Sequence, residues 1–232
     1  MYKKITHNIV EEHFNHPAVL PNGMIDHHMQ AIGGKLPSAV MNENTMLFRM
    51  NVRSAWTKWV WSLLNYSISL NGNLPGTEQV KTRMQKNAIA LGDMLAPYYG
   101  IEKARTVSTA LLAIDDIGMR YVEALKDKKP TADIVASWQP FITEFARALS
   151  SMNPTNWPEA GIVDAFNKLT KAWQDELAAR EKGDLLADEV AIDYINKLMV
   201  TGVHNNTPAD FNSFADEVSR GIIAQFPTMF MA

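Results

Sequence analysis

From Asn42 to Phe226 the apolar residues recur every three or four positions, and the recurrence breaks at recognisable helix stops. That period lays apolar side chains along one stripe of a helix, whereas a strand would need alternation every two residues. A helix with one apolar stripe must bury it against another element. The chain is therefore expected to be all-α: an antiparallel helical bundle of six or seven helices, in two four-helix-like halves, over residues 42–227. Residues 1–41 depart from this pattern. Pro17, Pro21, Pro37, Gly23, Gly33 and Gly34 interrupt short apolar pairs there, so the segment reads as an N-terminal arm. Residues 228–232 read as a short C-terminal tail.

The first long helix is expected to begin near Asn42 or Asn44, with Met46, Met50, Trp56, Trp59, Val60, Leu63 and Leu64 inward, and to end in "NGNLPG". Thr77 is suited to cap the second, whose stripe is Val80, Met84, Ala88, Leu91 and Leu95 and whose stop is "PYYG". A third carries Ala104, Val107, Leu111, Ile114, Ile117, Tyr121, Val122 and Leu125 before the charged run "KDKKP". The fourth starts at Thr131 and has to bend or restart at Pro140, which lacks an N–H. Pro158 fits the first turn of a fifth, lined by Ile162, Phe166, Leu169, Trp173 and Leu177 and closed by Gly183. Asp184 begins a sixth. In "TPAD", Thr207, Pro208 and Asp210 form the clearest start, that of a seventh helix with Phe211, Phe214, Val218, Ile222 and Phe226 inward.

Composition narrows the function. The chain has no cysteine, so disulfides, thiolate metal sites and cysteine nucleophiles are excluded. Its 22 Lys and Arg against 25 Asp and Glu give a net charge of -3, without the basic excess that neutralising phosphates requires, so nucleic acid is set aside as a partner. No window approaches the roughly 20 apolar residues of a membrane span, and no signal peptide is read at the start. The expected location is the cytoplasm, or an assembly formed in a host cytoplasm.

Five of the six histidines fall in the first 28 residues. His13 and His16 are three apart and share a face of any helical turn, and His27 and His28 can fold back toward them. Four such nitrogens satisfy zinc. A pH-responsive contact is the second reading, with Glu11 and Glu12 as counter-charges. The favoured reading is a third. Ile9, Val10, Phe14, Val19, Leu20, Met24 and Ile25 give the arm more apolar content than a solvated tail needs, so it is expected to dock on its own bundle or on a neighbouring subunit.

Within the bundle, Asp115 and Asp116 sit in the apolar stripe of the third helix. The plainer reading turns both to the solvated edge. An inward one would need a partner such as Arg53 or Lys58, or a raised pKa. Arg53, Asp115, Asp116 and Glu144 form the candidate interior polar cluster, with Asp164 and Glu176 as possible additions. Trp56, Trp59, Trp61, Trp138, Trp157 and Trp173 read as core plus one interfacial ring, Trp61, ahead of an aromatic ligand pocket. No Glu-x-x-His motif for a di-iron centre occurs.

Several fragments together resemble a family of small all-α bacterial proteins of Bacillus and its relatives. They are Trp56-Thr57-Lys58, Arg83, Asn87, Pro97 to Gly100, Trp138, Asn153-Pro154, Gly183-Asp184 and the closing "ADEVSRGIIAQFP". The resemblance implies a helical bundle with histidines on three helices, able to hold a metal in a ferritin-like or hemerythrin-like manner. The matching positions here are Arg53, Ile114 and Leu169, which do not ligate a cation. Some members carry the name acetylglutamate kinase, yet no glycine-rich phosphate loop follows a strand in this chain. The expected role is a non-catalytic structural or protein-interaction protein, self-associating through its arm and without cofactor. The alternative is a bundle binding a transition metal or small ligand.

Overall fold

A computed structural model describes residues 42–202 and 213–231, all within one compact unit. Among these residues there is no strand, and the chain is an all-α bundle. The arm, with every call placed on it, lies outside the described residues, as does the segment 203–212 that holds Thr207, Pro208, Asp210 and Phe211.

Helix α1 spans Glu43–Val60. Asn42 caps it by accepting from the Thr45 N–H, and Thr45 receives the Asn42 N–H in return, which buries Thr45 completely. Counting back from Trp56 and Trp59 in helical steps reaches Val52, Phe48 and Thr45, and these face inward. Met46 and Met50, expected inside, are out of phase with that row and lie exposed.

The expected single first helix is divided at Trp61, and α2 continues as Ser62–Asn71. At the junction the Lys58 carbonyl accepts from the Ser62 hydroxyl at 2.7 Å and from Asn87 Nδ2 at 3.0 Å. Side chains bonding into the helical ladder in this way are an ordinary cause of a bend.

Helix α3 is Thr77–Asp93, and its Thr77 hydroxyl donates to the Leu74 carbonyl, closing the turn before the helix instead of capping an N–H. A short α4, Ala96–Tyr99, ends at Gly100, whose φ of 86° suits glycine. The central helix α5, Ile101–Lys126, buries the expected stripe from Ala104 to Val122 and packs against both α3 and α7. The fourth expected segment restarts at Ser137: α6 is Ala132–Ala136 and α7 is Trp138–Met152, with Pro140 in the first turn, where an N–H has no intrahelical acceptor.

Helix α8, Glu159–Lys182, ends at Gly183 with φ 72° and ψ 19°. The next residue, Asp184, accepts from the Ala187 N–H and starts α9, Leu185–Asn196, which runs on as a π-turn over Lys197–Thr201. The last helix, α10, spans Phe214–Gln225. Its cap is Ser213, which accepts from the Asp216 N–H at 3.1 Å, so the helix that carries Phe214, Val218 and Ile222 opens at this serine, while "TPAD" lies outside the described residues. The closing residues are also not a free tail. Pro227–Phe230 forms a 3-10 turn that buries Phe230 against Phe48 and Tyr98.

One continuous apolar core joins these elements. Its middle is a knot of rings from four helices: Trp56 and Trp59 of α1, Phe145 of α7, Phe166 of α8 and Phe214 of α10, with Phe145 and Phe166 at 4.4 Å between centroids. The break between α7 and α8 is stitched to α10. Asn153 Nδ2 donates to the Gly221 carbonyl at 2.9 Å, and the Trp157 indole donates to the Glu217 carbonyl at 3.0 Å. A Cβ at Gly221 would stand 2.3 Å from the Trp157 indole nitrogen, so only glycine admits this approach.

Candidate functional site

The four residues of the expected interior cluster do not come together. Asp115 is 1% exposed, inside α5. Asp116, one residue on and about 100° around the helix, is exposed, and so is Glu144 on α7. Arg53 lies on the outer side of α1 and forms a two-pronged bond to Asp216 of α10 at 2.9 and 2.8 Å. Lys58, the other partner considered for an inward carboxylate, is exposed as well.

Asp115 therefore takes the second course open to a buried acid. Neither carboxyl oxygen has a hydrogen-bond partner among the described residues, and the Trp59 indole N–H lies near it without reaching hydrogen-bonding geometry. Burial pushes the carboxyl well above the usual carboxylate range, against the smaller opposing effect of the Trp59 indole. A neutral acid is the form that the interior tolerates. Leucine has the same branched, four-heavy-atom side chain as aspartate but no polar group to leave unsatisfied, so Asp115→Leu is expected to be more stable by about 1–3 kcal/mol. Urea unfolding at neutral pH measures this, and a loss of stability would contradict it.

A second polar group, unlike the first, is well paired. Glu176 of α8 is buried, and Arg180 one turn later donates to it at 2.9 Å while reaching Asp188 of α9 at 2.8 Å. One guanidinium thus ties the two sides of the α8–α9 hairpin. Burial, helped by the neighbouring Asp188 carboxylate and opposed by Arg180, pushes Glu176 up to about 7. The Glu176–Arg180 spacing was visible as an i,i+4 pair. The third member required knowing how Gly183 turns the chain.

The seam between α1 and α10 holds three arginines around one carboxylate. Asp216 accepts from Arg53 and from the Ser213 hydroxyl, the latter at 2.9 Å. Burial lowers the Arg49 guanidinium from its usual range, Asp216 opposes that, and Arg220 and Arg53 add to it.

The tryptophans follow the core reading. Trp56, Trp59, Trp138, Trp157 and Trp173 are buried, and Trp61 is half-buried in a recess with Val80, Arg83 and Asn87.

A groove lies on the outside, between α8 and α9. This groove has a volume of about 680 Å³. One wall is Lys168, Lys171 and Asp175 of α8, and the other is Leu186, Val190 and Tyr194 of α9. Leu185, Leu186 and Val190 are 73%, 72% and 63% exposed, while Ala191 and Ile195 of the same helix are buried. Helix α9 is therefore apolar on two sides, and only one of them meets the bundle. Sequence reasoning placed the start of this helix but passed over that doubled stripe, which was its available signal.

His13, His16, His27 and His28 lie outside the described residues. Among the described residues, no three His, Asp or Glu side chains are grouped to hold a metal ion. Ile114 and Leu169, at two of the three positions where the resemblance implies histidines, are fully buried apolar residues, and Arg53 at the third is on the surface. Among the described residues, no helix is long and apolar enough to cross a membrane. No family model matches the sequence, and no curated protein or solved structure is similar to it.

Proposed function

We propose that the chain is a non-catalytic structural or protein-interaction protein whose N-terminal arm docks on its own bundle or on a neighbouring subunit. The supporting observation is the foot of α1, where the arm joins. Met46, Leu47 and Met50 are all half-exposed or more, on the first two turns of a helix whose opposite side is packed. Clustered exposed apolar side chains mark contact surfaces more often than scattered ones do. An arm bearing Ile9, Val10, Phe14 and Leu20 has the apolar content to cover them.

Solution mass, measured for the full chain and for a chain starting at residue 42, tests the reading. The full chain is expected to self-associate, and removal of the arm is expected to weaken that association. Monomers in both cases would contradict docking on a neighbouring subunit.

A further inference from the structure

We infer that the outer face of α9 seats a second copy of the same chain, packed antiparallel to the first across a two-fold axis. This deepens the interaction reading above but rests on a different surface. Leu186, Val190 and Tyr194 follow one another at intervals of four along α9, with Val190 central. Turning such a row about a two-fold axis near Val190 lays Leu186 of one copy beside Tyr194 of the other. Each side chain then meets the shallow groove beside the other copy's helix. A self-complementary patch of this kind is what a two-fold interface requires.

Charge selects the second copy and its direction. Helix α8 runs toward the Gly183 turn and α9 runs away from it, so the groove has two unlike ends. Asp175 and Asp184 stand toward the turn, and Lys168 and Lys171 stand toward the other end, where Lys168 neighbours Tyr194. A parallel second copy would set acid against acid and lysine against lysine. The antiparallel copy sets each acidic end against the partner's lysines at both ends of the interface. Lys168 and Lys171 are now held by Asp164 and Asp175 on their own helix, in pairs that are half-exposed. Exposed pairs of that kind are weak, so the lysines can take a second carboxylate without a large loss.

Sedimentation equilibrium of full-length chains over a range of concentrations tests the inference. The wild-type chain is expected to reach twice the monomer mass. Val190→Asp is expected to raise the dissociation constant at least tenfold with an unchanged helical circular dichroism spectrum. Lys171→Glu and Asp175→Lys give a second check that depends on surface charge alone. Each is expected to weaken its own dimer, and an equimolar mixture of the two is expected to pair, because a carboxylate then faces a lysine in both contacts. Wild-type association in Val190→Asp, or no pairing in the mixture, overturns the inference. If Val190→Asp keeps the association that removal of residues 1–41 abolishes, the α9 seat is wrong and the arm reading stands. A monomer in every case overturns the inference and the docking of the arm on a neighbouring subunit.

Discussion

Truncating Phe166 to alanine is expected to lower the unfolding free energy by about 3–5 kcal/mol. Phe166 is completely buried and meets Phe145 at 4.4 Å, Phe214 at 5.3 Å and Trp59 at 6.0 Å between ring centroids. These rings come from α7, α10 and α1, so the side chain joins α8 to the helix that precedes it and to two helices far away in sequence. Removing it takes away both the transfer free energy of a large ring and the contacts of its neighbours, which rigid helices cannot close up to recover. A domain of this size is stable by only about 5–15 kcal/mol, so the loss is a large fraction of the whole. The midpoint of urea unfolding reads it. Ile68→Ala, at a half-exposed position of α2, serves as the comparison and is expected to cost far less. A loss below about 1 kcal/mol for Phe166→Ala would show that the ring knot does not hold the bundle together.

The second large effect is on pH dependence. Glu176, ordinarily near 4.5, is pushed up to about 7 in the folded chain. The folded state binds this proton more tightly than the unfolded state does. Stability from this group is thus fully present below about 4.5, is lost as pH rises toward 7, and stays lost above it. At about 1.4 kcal/mol per pKa unit the loss over that window is about 3 kcal/mol. Glutamine at 176 keeps an oxygen for the Arg180 guanidinium and has no proton to lose. The stability of Glu176→Gln relative to wild type is therefore expected to rise by about 3 kcal/mol between pH 4.5 and pH 8. Guanidinium unfolding at a series of pH values measures the difference. A difference that stays flat with pH would mean that Arg180 keeps Glu176 ionised throughout. Asp115 contributes in the same direction, since its carboxyl is also raised by burial.

Much of this architecture could be read in the residues, and the exceptions have physical reasons. Gly183 and Asp184 stated a helix end and a helix start in adjacent positions, because a left-handed residue and a capping carboxylate each do a local job. The stripe of α5 was equally legible, being set by one helix's own period. Met46 and Met50 misled because apolar type was allowed to outweigh phase, whereas the row set by Trp56 and Trp59 passes through Thr45 and Val52. Asp115 and Asp116 could not both follow one fate, since adjacent residues diverge by about 100° around a helix. Which of them turned inward depended on how α5 is rotated in the bundle. The Arg53–Asp216 bond joins residues 163 positions apart, and nothing local in either segment announces it. The doubled stripe of α9 was local and readable, and it changes the account most.

That account divides the molecule into an interior that holds shape and outer faces that recognise a partner. Asp115→Leu tests the division most directly, because it makes a fully buried and unpartnered polar position of the bundle apolar and leaves every outer face alone. The measurement is the solution mass of this variant beside the wild-type chain over the same concentrations. The account predicts that both self-associate with the same dissociation constant, although the variant unfolds at higher urea. A folded leucine variant that has lost association, or a wild-type chain that stays monomeric at every concentration, would contradict it.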